Sequence, residues 1–220
     1  MREFIRSLSP TAEFVVVIGG AFGLFILGSI AQALTRPTLV GVPDGQVADL
    51  LIFELVLLAV LGAFLYLRGW TPAHLGLDIH PGEFLAGLGL AVAAELAYVM
   101  ASLVAALIFP LKAPVSSSVA PTVTAINFLT LSVINPLFEE VFVCGYVVTV
   151  LQKTSGPWTA INVSTAIRLL YHLYQGALGV LSIVPTGLLF AYWFARTGRL
   201  WPPIMAHGLL NLAVLLLSPT

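Results

Sequence analysis

From Phe14 to Leu34 the chain reads FVVVIGGAFGLFILGSIAQAL, without a single charged residue. A helix crosses the hydrocarbon core of a bilayer with about 20 mainly apolar residues, at about 1.5 Å per residue. Comparable runs recur at Leu50–Leu67, Phe84–Phe109, Ile126–Leu151 and Trp201–Leu217. The run from Trp158 to Ala195 spans 38 residues, roughly 57 Å of helix, which is enough for two crossings. Gln175-Gly176 is the best place for the turn between them. The expected fold is all-α: a polytopic helical membrane protein of about seven spans. With 59% hydrophobic and only 9% charged residues, against about 25% charged in an ordinary soluble domain, lipid is the natural solvent.

Other classes are disfavoured. A net charge of −1 gives no basic surface for nucleic acid. One cysteine excludes an internal disulfide. Arg2 and Arg6 precede the first apolar run without a small-residue cleavage pattern, so that run reads as a retained anchor. Connections rich in Pro, Gly and Ser (Pro37–Gly45, Pro114–Pro121, Pro202-Pro203) leave no room for a soluble domain. Residues 1–220 therefore read as a single membrane domain, with amino-terminal spans in 1–125 and a core bundle in 126–220. Of the basic residues near span ends, Arg2, Arg6, Arg68, Lys153, Arg196 and Arg199 fall on one side, and Arg36 and Lys112 on the other. The positive-inside bias then puts the amino terminus in the cytoplasm. A prokaryotic inner membrane is the expected location.

Ionisable groups inside such runs are costly, at about 2.5–3.5 kcal/mol for an Asp, Lys or Arg at a helix centre, and they mark function more often than packing. Glu139 and Glu140 lie near the middle of the fourth run. Neighbouring helical residues point about 100° apart, so the two carboxylates serve different points. Glu139 shares a face with Asn135, and Glu140 with Cys144. Pro136 frees the carbonyl of Ser132 and predicts a kink and a water pocket one turn before the acids. Arg168 and His172, four apart, share a face of the fifth span. His207 and Asn211 share a face of the seventh and can both donate to a developing oxyanion. A base, a water-holder and oxyanion donors are what peptide hydrolysis requires. Cys144 is a poor nucleophile, and neither a G-x-S-x-G elbow nor an H-E-x-x-H helix is present. Convergence of Glu139, His172, His207 and Asn211 on one cavity requires the fifth span to begin near Asn162, with Lys153–Ile161 as a loop or interfacial segment.

The motifs EEVFVC (139–144), RLLYH (168–172) and HGLLN (207–211), in that order on core helices, resemble the CAAX protease and bacteriocin-processing (CPBP, Abi) family of intramembrane endopeptidases. That family carries Glu-Glu-x-x-x-Arg, Phe-x-x-x-His and His-x-x-x-Asn. RTGRLWPPIMAHGLLN and LRGWTPAHLGL resemble its approaches to the last motif and to the third span. The resemblance covers about Asn127–Leu217 and places the catalytic core in spans four to seven. It implies that Glu139 and His172 activate water, that His207 and Asn211 form the oxyanion site, and that Glu140 is a supporting acid. It also implies a peptide or membrane-protein substrate in the bilayer, lipidated in members that trim prenylated CAAX termini.

No cofactor is expected. Zinc is possible, since Glu plus two His could ligate it, but a carboxylate in a low-dielectric pocket is already a stronger base. The chain departs from the pattern twice: Cys144 replaces the family's Arg, and Arg168 its Phe. One loss and one gain of the same charge predict that Arg168 reaches Glu140 from the fifth span. Two other classes stay open. One is a catalytically inactive binding or immunity scaffold. The other is an ion-coupled transporter with Glu54, Glu95, Glu139 and Arg168 as relay.

Overall fold

A computed structural model describes residues 2–35, 44–108 and 123–217. The expected linker Pro114–Pro121, most of Pro37–Gly45, and Arg36, Phe109 and Lys112 lie outside these residues. Among the described residues all regular structure is helical: α1 (Arg2–Ser7), α2 (Pro10–Thr35), α3 (Asp44–Leu67), α4 (Glu83–Ile108), α5 (Ala125–Glu140), α6 (Val147–Ser155), α7 (Pro157–Tyr171), α8 (Gly176–Thr197) and α9 (Trp201–Leu217). A π-helical turn, Val141–Tyr146, joins α5 to α6 without a break. Short 3₁₀ turns occupy Pro72–Leu75 and Leu173–Gln175.

Among the described residues, five helical segments are long and apolar enough to cross a membrane: Pro10–Thr35, Asp44–Leu67, Glu83–Ile108, Ala125–Ser155 and Gly179–Thr197. The fifth and seventh expected spans are helices of 15 and 17 residues, about 22 and 26 Å long. In the first three segments only 22%, 22% and 17% of the apolar window is buried by protein, against 67% in Ala125–Ser155. Large apolar side chains such as Leu24, Leu27, Val56 and Leu96 point outward. Such surface is sustainable against lipid, not water. The α5–π–α6 rod is thus the central element: α3 and α9 pack on α5, and α7 packs on α6, with α8 behind α7 and α2 across it.

Both ends of the bundle are tied by polar side chains. At one end Asp44 accepts from the Thr124 and Asn127 amides, Thr124 N at 2.8 Å and Asn127 Nδ2 at 2.8 Å, locking the start of α3 to the start of α5. At the other, Glu13 pairs with Arg68 and accepts from Trp70 Nε1 at 3.0 Å and Tyr146 Oη at 3.2 Å. Arg68 also donates to the carbonyls of Ile5 and Arg6. Lys153 lines a small hollow with Arg68, and Arg199 pairs with Glu83 at 3.0 Å. Arg6, Arg68, Lys153 and Arg199 therefore gather at the end that carries the amino terminus.

Two local expectations change. The segment Lys153–Ile161 is not a loop: α6 runs through Ser155, Gly156 turns the chain with φ +83°, and α7 starts at Pro157. Proline at the first helical position and a glycine free to take positive φ make a one-residue junction possible. Second, α5 continues through Pro136 as regular helix, and the irregular winding comes after the acids, in the π turn. The Ser132 carbonyl that Pro136 leaves free is approached closely by Gly208 of α9. A Cβ at Gly208 would lie 2.6 Å from that oxygen, leaving room only for a weak Cα–H···O contact. Gly208→Ala should force α9 off α5 and destabilise the protein by about 1–3 kcal/mol, read as a lower midpoint of thermal unfolding in detergent. An unchanged midpoint would mean that α9 is not held this closely.

Candidate active site

The acids end α5. Glu139 is 6% exposed and Glu140 fully buried, and the 100° step between them sends each to different partners. Glu139 accepts from Tyr171 Oη at 2.7 Å, Asn135 Nδ2 at 3.0 Å and Arg168 Nη1 at 3.4 Å. Glu140 accepts from Arg168 Nη2 at 2.6 Å and from His207 Nδ1 at 2.8 Å. Arg168, in the last turn of α7, lies between the two carboxylates and is 2% exposed. Its guanidinium cannot readily shed its proton, so burial requires acceptors, and the contact expected with Glu140 is the shorter of the two. Its carbon lies 5.9 Å from the centre of the Phe190 ring, within cation–π range. Gly187 of α8 leaves the room in which the arginine stem runs, since a Cβ there would come within 3.4 Å of Arg168 Cδ.

His172 caps the C-terminal end of α7. Its Nδ1 lies 3.0 Å from the Arg168 carbonyl. A carbonyl only accepts, so Nδ1 carries the proton and the neutral ring keeps Nε2 as an acceptor. Glu139 and His172 line one cavity of about 100 Å³, together with Glu54, Asn135 and Tyr171. Phe22 and Phe138 form an apolar wall of it, with Phe22 stacked on Tyr171 at a centroid distance of 4.7 Å.

His207 and Asn211 are not among the residues lining this cavity. His207 belongs to the Glu140 side, and its ring lies 6.5 Å from that of Phe190. Asn211 is half-buried one turn further along α9. Glu139 thus shares a cavity with His172, while His207 contacts Glu140, and Arg168 bridges the two carboxylates. The angular offset of consecutive glutamates produces this division. Cys144, fully buried in the π turn, leaves the family's arginine position without a charge, and the guanidinium arrives from α7 instead.

Three residues of the site had weaker signals in the sequence. Tyr171 is three after Arg168 and hence on its face, but a tyrosine in an apolar run is commonplace. Asn135 is four before Glu139. Glu54 stood out only as a lone acid in the second apolar run; Asn135 Nδ2 donates to it at 2.7 Å. Among the described residues no group of three His, Cys, Asp or Glu is arranged to hold a metal ion. His207 is bonded to Glu140, and the Glu139 oxygens accept from three donors.

No curated protein and no solved structure matches the chain. Residues 121–213 match the family described as Type II CAAX prenyl endopeptidase Rce1-like. The matched segment contains both glutamates, Arg168, both histidines and Asn211, and it leaves out α2, α3 and α4. Its helices include ones long and apolar enough to cross a membrane, and through residues 121–213 this integral membrane protein is similar to the CAAX-protease family of intramembrane proteases.

Proposed function

We propose that the protein hydrolyses a peptide bond at the membrane without a metal, with Glu139 as the base that takes a proton from water. The observation that carries this reading is the setting of Glu139. Its carboxylate lines a cavity of about 100 Å³ together with His172 and accepts from Tyr171, Asn135 and Arg168. A base so fixed needs little reorganisation at the moment of proton transfer. His172 Nε2 accepts the water's second hydrogen and holds it for attack.

Attack on the scissile carbonyl forms the C–O bond and drives the carbonyl electrons onto oxygen. His207 and Asn211, four apart on α9, supply donors to that oxyanion. His207 Nδ1 is tied to Glu140, so its Nε2 donates only as imidazolium. Glu140 then serves as the counter-charge, while Arg168 holds Glu140 in place. The proton on Glu139 passes to the amine nitrogen as the C–N bond breaks.

The family description supports a substrate that is a peptide or membrane protein, prenylated near its carboxyl terminus. The basic end of the bundle supports a cytoplasmic orientation for the amino terminus, and we place the protein in the inner membrane of a prokaryote. Purified protein in lipid nanodiscs, given a labelled farnesylated CAAX peptide, should cleave it equally with and without chelator. Asn211→Ala should slow cleavage by about 10²- to 10³-fold, the usual cost of one oxyanion donor. Inactivation by chelator with recovery on adding zinc would overturn the metal-free mechanism.

A further inference from the structure

Glu54 lies on α3, outside the matched segment, and is 1% exposed. Its Oε1 accepts from Asn135 Nδ2 at 2.7 Å, and the same nitrogen donates to Glu139 Oε1 at 3.0 Å. One amide, with its two hydrogens, therefore ties two carboxyl groups from different helices. Glu54 Oε2 is buried and has no hydrogen-bond partner. Among the described residues no Lys, Arg or His forms an ion pair with Glu54. Glu54 lines the same cavity as Glu139 and His172.

An ionised carboxylate in this place would be buried, uncompensated and close to a second carboxylate. Each of these is costly in a low-dielectric interior, and a carboxyl group avoids them by keeping its proton. A neutral acid has one carbonyl oxygen and one hydroxyl. The carbonyl role fits Oε1, which accepts from Asn135. The hydroxyl role then falls to Oε2, which is closed off from solvent and has no protein acceptor.

We infer that Glu54 is a positioning residue of the active site: its Oε1 fixes Asn135, and through it Glu139. This rests on the reading of Glu139 as base. Substrate need not touch Glu54, so its loss reduces kcat and leaves KM nearly unchanged. Glutamine presents the same pair, a carbonyl and a donor, in nearly the same shape.

The test is steady-state hydrolysis of the farnesylated CAAX peptide by the full chain in nanodiscs. Glu54→Leu should lower kcat by about 10- to 100-fold through misplacement of the base, with KM within about twofold. Glu54→Gln should restore kcat to within about threefold of the parent, because its donor and acceptor match those of the neutral acid. Parental kcat in Glu54→Leu, or Glu54→Gln as slow as Glu54→Leu, overturns the inference, the second by showing that an ionising carboxyl is needed. Should Glu54→Leu fail to fold, Glu54→Gln alone still decides. Glu139→Gln is run beside them: if it turns over at the parental rate, the base assignment itself fails, whereas an inactive Glu139→Gln with a fully active Glu54→Leu sinks only the role of Glu54.

Discussion

Glu139→Gln should abolish peptide hydrolysis while leaving the fold in place, with turnover lower by about 10²- to 10⁴-fold, the range that general-base catalysis contributes. The amide has nearly the shape of the carboxylate, and its oxygen still accepts from Tyr171, the shortest of the three contacts made by Glu139. Arg168 keeps its stronger partner, Glu140, at 2.6 Å. Little in the core therefore changes, while the carboxylate proposed to take a proton from a cavity water is gone. Turnover measured beside thermal unfolding in detergent separates the two effects. An inactive variant with a parental unfolding midpoint is expected. A variant that also unfolds many degrees lower would make Glu139 a packing residue.

Arg168→Leu should have the opposite signature, destabilising the protein by about 3–5 kcal/mol, the cost of removing one partner from a buried ion pair. Without the guanidinium, the fully buried Glu140 retains only His207. Cys144→Ala removes one small buried side chain and no charge, so its effect should be much smaller. Combining Arg168→Leu with Cys144→Arg places a cation one turn after Glu140, as in the family pattern, and should recover part of the lost stability. If Arg168→Leu unfolds at the parental midpoint, the pair contributes nothing, and Arg168 needs another explanation.

The helix limits were largely legible because a chain in lipid must satisfy its backbone within each helix and cover it with apolar side chains. Trp201–Leu217 is helical over the residues read from the sequence, and the turn between α7 and α8 falls at Gln175 and Gly176, where φ is +69°. The exchange of Cys144 for Arg168 was legible as charge arithmetic, since a buried guanidinium must find an acceptor. What the sequence did not reveal depends on rotation and register between helices. Periodicity places His207 and Asn211 on one face of α9, but not which glutamate that face meets. The link from Glu54 through Asn135 to Glu139 requires the register of α3 against α5, which no local pattern encodes. The π turn at Val141–Tyr146 has no sequence signature, and its place just after the acids accords with the frequent occurrence of such turns at functional sites.

The most direct measurement is the cleavage of a labelled farnesylated CAAX peptide in ¹⁸O-water by the parent protein and by Glu139→Gln, both in nanodiscs and both shown to be folded, with products identified by mass spectrometry. Water activation by Glu139 predicts one cleavage by the parent, with ¹⁸O in the newly formed carboxylate, and none by the variant. An intact peptide after incubation with the folded parent, or cleavage by Glu139→Gln at the parental rate, would contradict it.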